Sequence, residues 1–251
     1  RYFALPLLSA LVLSMSGCTE ERQLPEISEF KLINEKNYLV DGHKITETSS
    51  DTDTIAVYGV ISDAHGEAGK ARRIATEFVK RGVEGIIAAG DLANNEQLRS
   101  GTIDTKDDTE EIAEVLEALA ETGLPVLVIP GNHEQRTDYE TAIKKVTAKY
   151  GNVIDMTQYR VFDGDDVDFV SLPGYQTFRI LGRQFISNDG YWAKPDEVQK
   201  LKEKIKRLDD AIVLITHGPG KTNAKPGPGT IYNGQDGGDE LTTRVMKEAG
   251  I

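Results

Sequence analysis

Cysteine is almost missing from this chain: Cys18 is the only one in 251 residues. No disulfide can close within the polypeptide, and a cysteine-built structural zinc site is excluded. Long apolar runs are equally scarce. Only one approaches membrane-spanning length, and it lies at the extreme N-terminus, which excludes a polytopic membrane protein. Positive charge is short as well, with 29 Lys and Arg against 41 Asp and Glu and a net charge of −12. Phosphate backbones recruit Lys and Arg, so general nucleic-acid binding is not expected. What is present is the balance of a globular protein, 39% hydrophobic and 28% charged, which rules out disorder throughout and a collagen-like chain. The length suits one generous domain or a tight pair, able to bury a sizeable core.

The place of Cys18 is informative. Tyr2 to Leu13 is nearly all apolar and follows Arg1, the charged and apolar regions of a secretory signal. The run ends in Met15-Ser16-Gly17-Cys18, which resembles the lipobox of bacterial lipoproteins. That resemblance implies cleavage before Cys18, acylation of that residue, and retention outside the cytoplasm on a bacterial membrane, on the periplasmic side or in the outer membrane. Residues 1–17 are then a signal peptide, 18–53 a lipid-anchored tether, and 54–251 the folded domain. An uncleaved anchor, or an ordinary signal with a chance cysteine, is the alternative.

Within the tether, Asp41-Gly42 reads as a type I′ turn between Tyr38-Leu39-Val40 and Lys44-Ile45. From Ile55 the pattern becomes regular. Ile55 to Ser62 reads as a buried strand, followed by a helix with Ala71, Ile74, Ala75, Phe78 and Val79 on one face and Gly82 at its end. Gly85 to Ala89 is the next strand. Asp108 and Glu111 read as the capping pair of a helix that buries Ile112, Val115, Leu116 and Leu119. Val126 to Ile129 is a strand, and a helix is expected over about 137–149. Short apolar runs from Val153 to Ile186 read as antiparallel strands rather than further βα units. Among them, Asp163, Asp165, Asp166 and Asp168 invite a calcium reading, but a hairpin turn is the simpler one. Pro195 opens a helix with Val198, Leu201, Ile205 and Leu208 inward. Ala211 to Thr216 is a strand, and a last helix is expected over about 239–249.

Four strands end in conspicuous polar residues: Asp63-Ala64-His65, Gly90-Asp91, Gly131-Asn132-His133-Glu134 and His217-Gly218-Pro219. In open α/β sheets ligands bind beyond the carboxyl ends of strands, so residues far apart in sequence should converge there. Three of the four histidines sit at these ends; His43, on the hairpin, reads as exposed. Carboxylate, amide oxygen and imidazole suit zinc, manganese or iron. Each motif alone is weak, because a lone Gly-Asp is usually a turn. Gly-Asn-His-Glu is stronger, since its His and Glu have no packing reason to be there.

The ordered set resembles the calcineurin-like metallophosphoesterases, whose pattern is Asp-x-His, Gly-Asp, Gly-Asn-His-Glu (or Asp), a later His and a final Gly-His-x-His. The match runs over about 54–220, with 28 residues from Asp63 to Asp91 and 41 from Asp91 to Asn132. The final Gly-His-x-His is absent, and truncation of the chain is the expected reason. The resemblance implies an α/β fold, a four-layer α/β/β/α sandwich of two mixed sheets, holding two divalent ions of Mn, Fe or Zn. Asp63 and His65 would hold one ion, Asp91 would bridge, and Asn132 and His217 would hold the other. His133 would protonate the leaving group, and Asn94 would orient it by its carbonyl. The expected activity is hydrolysis of small phosphomonoesters or phosphodiesters by a metal-activated water, with the membrane met only through the lipid anchor.

Departures from the pattern narrow the substrate. Protein phosphatases of this family carry Gly-Asp-x-x-Asp-Arg-Gly and an Arg before Gly-Asn-His-Glu. Here Asn94, Asn95 and Pro130 stand in those places, so neither phosphate-gripping arginine is present. The Gly-rich stretch from Gly218 to Asp239, with Lys221, Lys225 and Tyr232, reads as a substrate-lining loop. Tyr191-Trp192 offers a stacking surface but reads more simply as packing. The rival to an enzyme is a non-catalytic binding module on the same fold, against which the intact Asp63, His65, Asp91, Asn132 and His133 argue.

Overall fold

A computed structural model describes residues 29–33, 36–52, 54–94, 107–174, 178–180, 183–185, 195–221 and 238–251. The readings placed on Cys18, Asn95, Tyr191, Trp192, Lys225 and Tyr232 lie outside the described residues. In chain order the elements are β1 (Glu29–Ile33), β2 (Lys36–Asp41), β3 (Lys44–Glu47), β4 (Tyr58–Ile61), α1 (Ala68–Lys80), β5 (Gly85–Ala88), α2 (Asp108–Ala120), β6 (Val126–Val128) and α3 (Arg136–Lys149). They continue with β7 (Val153–Asp155), β8 (Val161–Asp163), β9 (Val167–Leu172), β10 (Phe178–Ile180), β11 (Arg183–Phe185), α4 (Pro195–Ile205), β12 (Ala211–Thr216) and α5 (Glu240–Ala249).

Alternate side chains of a strand face opposite sides of its sheet, and this alternation divides the core into three apolar layers. Ile86 and Ala88 of β5, with Val126 and Val128 of β6, face α1, α2 and α3. Ile87, Leu127 and Ile129 face the other way and meet Ile45, Phe162, Phe169 and Ile215 between the two sheets. Val161, Val170 and Leu172 face outward again, against Val198, Leu201 and Ile205 of α4 and Leu241 and Val245 of α5. Helices, sheet, sheet and helices are therefore stacked in four layers, as expected. One sheet has the order β4-β5-β6-β7 and the other β1-β2-β3-β8-β9-β12, with β10-β11 a separate two-stranded ribbon.

Several local expectations need correction. Among the described residues the four-stranded sheet is parallel in every pair rather than mixed. β7 joins it, so Val153 begins with one more parallel strand before the antiparallel β8–β9 and β10–β11 pairs. β4 is shorter than 55–62, so Ile55, 66% exposed, precedes it, and it lies at the sheet edge, where Val60 is 61% exposed. On α1, Ala71 and Ala75 are buried while Ile74 and Val79 are exposed. The two-residue turn of the β2–β3 hairpin is Gly42-His43, because Asp41 pairs with Lys44. Only Gly42 there has positive φ (53°), the pattern of a II′ turn rather than I′. That hairpin is no loose tether: β3 pairs with β8, and Ile33, Tyr38, Val40 and Ile45 are core residues, so the fold includes residues assigned above to 18–53. The N-cap of α2 is Asp107, whose side chain accepts from Thr109 N. Among the described residues no helix is long and apolar enough to cross a membrane.

The close seat of α1 on β4 depends on Gly59. A Cβ there would lie 2.6 Å from Cγ and 2.7 Å from Cε2 of the Phe78 ring. Gly59→Ala should destabilise the protein by about 1–3 kcal/mol through overpacking, and adding Phe78→Leu should recover part of the loss. Urea unfolding of both singles and the double checks this; strictly additive effects would show that the two positions do not touch.

Candidate metal centre

Because β4, β5 and β6 are parallel, the turns that follow them share one edge, and β12 of the other sheet delivers His217 to the same place. The first two turns are zipped together by main-chain bonds. Asp63 N donates to Gly90 O (3.0 Å), His65 N to Asp91 O (3.0 Å) and Gly66 N to Leu92 O (2.7 Å). Three residues there have left-handed backbones, Asp63 (φ 57°), His65 (46°) and Asp91 (53°), and they are the only non-glycines with positive φ among the described residues. Such conformations cost about 1–3 kcal/mol each and persist where the surroundings over-determine them. The turns can close only because Gly90 and Gly131 lack side chains. A Cβ on Gly90 would lie 2.5 Å from Gly131 N, and one on Gly131 would collide with Asp91 Oδ1 and sit 3.0 Å from His217 Cε1.

Asp91 is buried at the middle of the group. Its Oδ1 is 3.3 Å from His217 Nε2 and accepts from His133 N at 3.0 Å, while Oδ2 is 3.7 Å from His133 Nε2. His217 Nε2 also lies 3.0 Å from Asn132 Oδ1. His65 Nε2 is 4.0 Å from Asp63 Oδ1, and the His65 and His133 rings meet edge-on at 4.8 Å. Burial pushes the Asp91 carboxyl upward, but His217 and His133 outweigh it and the net direction is down. For His217 burial works downward, and Asp91 overrides it and raises the imidazole to about 9.

The far side of each ring decides its tautomer. His65 Nδ1 lies 3.2 Å from Ala93 O, His133 Nδ1 3.0 Å from Asn94 O, and His217 Nδ1 2.8 Å from Ala89 O. A main-chain carbonyl only accepts, so all three Nδ1 atoms carry protons and all three Nε2 atoms are turned toward the carboxylates. Ligated imidazoles are held in this way by their outer partners. Two ligand groups result, Asp63–Asp91–His217 and His65–Asp91–His133, with the ligand atoms of each within 4.8 Å of one another and Asp91 common to both. Carboxylate and imidazole without thiolate fit zinc, manganese or iron. The expected residues are thus brought together, and the arrangement adds His133 to a ligand group.

Two carboxylates that the sequence reading leaves without a role here hold the centre in shape. Glu134, fully buried, takes Leu92 N (2.7 Å) and Ala93 N (3.1 Å) on Oε1, and Asp91 N (3.0 Å) and Gly131 N (2.5 Å) on Oε2. Burial first, then the Asp91 charge, push its carboxyl upward. Glu111 does not cap α2; it accepts from Asn94 N at 2.9 Å. Asn94 in turn holds His133 through its main-chain oxygen, while its side-chain amide donates to His65 O at 2.8 Å. The signal for Glu134 is its place in Gly-Asn-His-Glu; nothing in the sequence marks Glu111. A cavity of about 620 Å³ opens beside the group, lined in part by Ser62, Asp63, His65, Lys70, Asn94 and His133. Lys221 pairs with Glu240 (2.9 Å), and His43 is exposed, with Nδ1 on Gln158 O.

The profile of the calcineurin-like phosphoesterase family matches residues 57–251. Among solved structures, the TT1561 protein of Thermus thermophilus is similar at a TM-score of 0.57 and 11% identity, covering 78% of this chain and 79% of that one. A dimetal phosphatase from Danio rerio is similar at a TM-score of 0.51 and 14% identity, covering 78% of each chain. At such identities these two likenesses concern the fold. No curated protein matches.

Glu134→Gln keeps the shape of the side chain but turns an NH₂ group toward two of its four amide donors. Each buried N–H left without an acceptor costs about 1–3 kcal/mol, so the variant should unfold at lower urea and bind added Mn²⁺ more weakly. Wild-type stability together with wild-type Mn²⁺ affinity would remove Glu134 from this role.

Proposed function

Because the chain belongs to the calcineurin-like phosphoesterase family, we propose that it hydrolyses small phosphomonoesters or phosphodiesters at the Asp91 centre with two bound divalent ions. One observation carries this reading: three imidazoles, each pinned at Nδ1 by a main-chain carbonyl, present Nε2 around a shared buried carboxylate. Divalent ions bound there would acidify a water and offset charge on phosphoryl oxygens. Asp63 and His65, 4.0 Å apart, would hold one ion and Asn132 and His217, 3.0 Å apart, the other, with Asp91 shared. This regroups the two ligand clusters, in which Asp63 stands with His217 and His65 with His133. The Danio rerio neighbour is a dimetal phosphatase, which agrees with a carboxylate shared by two ligand groups. Identity of the ions follows the donor set: Mn, Fe or Zn.

His133 donates the proton that the leaving alkoxide needs. Its Nδ1 is fixed on Asn94 O, its Nε2 lies 3.7 Å from Asp91 Oδ2 at the centre, and the residue lines the cavity beside it. Small substrates fit better than phosphoproteins, because Pro130 and Asn94 stand where protein phosphatases of the family have Arg and Asp. Among the described residues lining that cavity, the one lysine, Lys70, is already paired with Glu67 at 3.0 Å. The acidity of the chain is no obstacle, since bound divalent ions dominate the local field.

We further propose that the mature protein is tethered to a bacterial membrane outside the cytoplasm through acylated Cys18, on the strength of the Met15-Ser16-Gly17-Cys18 pattern. Stable retention takes more than one acyl chain, so Cys18→Ser should yield an unprocessed or soluble species in fractionated cells. A membrane-bound variant with a mature N-terminus at residue 18 would refute the tether.

The leaving group separates an acid from a ligand at position 133. His133→Ala should slow hydrolysis of an alkyl phosphoester by about 10²–10⁴-fold, the usual worth of a positioned general acid, and leave metal content unchanged. The loss should shrink on a nitrophenyl ester, whose phenolate departs without a proton. Equal losses on both esters, accompanied by depleted metal, would make His133 a ligand instead.

A further inference from the structure

Away from the metal centre, the six-stranded sheet gathers acid at the opposite end of β12 from His217. Asp163, at the end of β8, lies directly across the ladder from Asp168 in β9. β12 runs parallel to β9, with Ile212 opposite Asp168, so the segment entering β12 carries Asp209 and Asp210 to the same spot. One carboxylate oxygen from each of Asp163, Asp168 and Asp209 lies within 4.8 Å of the others. The hairpin reading of this stretch is right for its backbone but uses only neighbours in sequence. Asp209, some forty residues on, is what completes the cluster.

Among the described residues one ion pair reaches it, against three clustered carboxylates. Lys44 Nζ pairs with Asp163 Oδ2, which also accepts from Thr46 Oγ1 at 3.1 Å. Asp210 N donates to Asp168 Oδ2 at 3.2 Å. Asp168 is 0% exposed, and its Oδ1 has no hydrogen-bond partner among the described residues. A buried carboxylate oxygen set among other carboxylates, with no donor, requires a proton or a cation. Burial, and then Asp163 beside it, push the Asp168 carboxyl up to about 7.

We propose that Asp163, Asp168 and Asp209 form a calcium site that ties the β8–β9 hairpin to the start of β12. The donors are all hard carboxylate oxygens, with no imidazole or thiolate to favour a transition metal. Asp209 is exposed, which leaves one side open to the waters that complete a coordination shell of six to eight oxygens. The site is separate from the Asp91 centre and does not depend on the activity proposed for it.

The test titrates CaCl₂ into the Mn²⁺-loaded protein, wild type and variants, by calorimetry and by thermal unfolding. Wild type and Asp91→Asn should each bind one Ca²⁺ per chain at this site and melt higher with it. Asp209→Ala, at an exposed position, should fold normally and lose about tenfold or more in Ca²⁺ affinity, as expected for removal of a charged ligand. Asp168→Asn should lose the Ca²⁺-dependent shift as well, yet be no less stable than wild type in chelator at pH 8, since it no longer buries an unpaired charge. Absence of any Ca²⁺-dependent shift in wild type at 10 mM CaCl₂, on the order of ten times the weakest carboxylate sites, would overturn the proposal. So would wild-type Ca²⁺ binding by Asp209→Ala and Asp168→Asn, or loss of the shift in Asp91→Asn while those two retain it.

Discussion

One carboxylate, that of Glu134, collects four main-chain amides from two turns that are forty residues apart in sequence. Those turns follow neighbouring parallel strands, and their amide ends would otherwise point at one another in a space without water. An acceptor with four lone-pair sites is what reconciles them. The same bonds fix the backbone of Asp91, the residue common to both ligand groups. Burial opposes charge on Glu134, yet the amides around it are satisfied only by acceptor oxygens, so the surrounding donors favour the ionised form.

From that fastening the electrostatics of the centre follow. Asp91 sits low in pKa and His217 high because each is the other's partner in a buried place. Carboxylate and imidazolium there favour each other's charge, and with the imidazole deprotonated both would offer lone pairs to a metal bound between them. The strained backbones at Asp63, His65 and Asp91 serve the same arrangement. Left-handed turns bend the chain sharply enough for the ends of β4 and β5 to aim short side chains at one point, and the rigid apolar layers beneath hold them there. Gly90 and Gly131 make room for the approach.

The two halves of the sandwich are joined at this point as well. His217 leaves β12 of the larger sheet and bonds to Ala89 O beyond β5 of the smaller one at 2.8 Å. The centre therefore lies on the seam between sheets, above the apolar layer of Ile87, Leu127, Ile129 and Ile215. At the other end of β12, Asp209 and Asp210 meet Asp163 and Asp168. A strand that ends in imidazole at one tip and carboxylates at the other couples both clusters to one element.

Much of this was legible in the sequence because the relevant signals are local. Hydrophobic period separates β5 and β6 from α2 and α4 whatever lies beyond them, and Asp63, His65, Asp91, Asn132, His133 and His217 announce themselves by standing at strand ends. Other features were decided only by tertiary structure. Val60 looks as buried as Ile86 until the sheet order puts β4 at an edge, and Ile55 until β4 begins only at Tyr58. Glu111 looks like a helix cap until Asn94 is folded against it, and Asn94 serves His133 through a main-chain oxygen that every residue possesses. The tautomers of the three histidines depend on carbonyls of Ala89, Ala93 and Asn94, whose identity as residues says nothing about hydrogen bonding. Side-chain type and spacing are written in the chain; which backbone groups they meet is set by how the strands neighbour one another, and that is known only once the sheets are assembled.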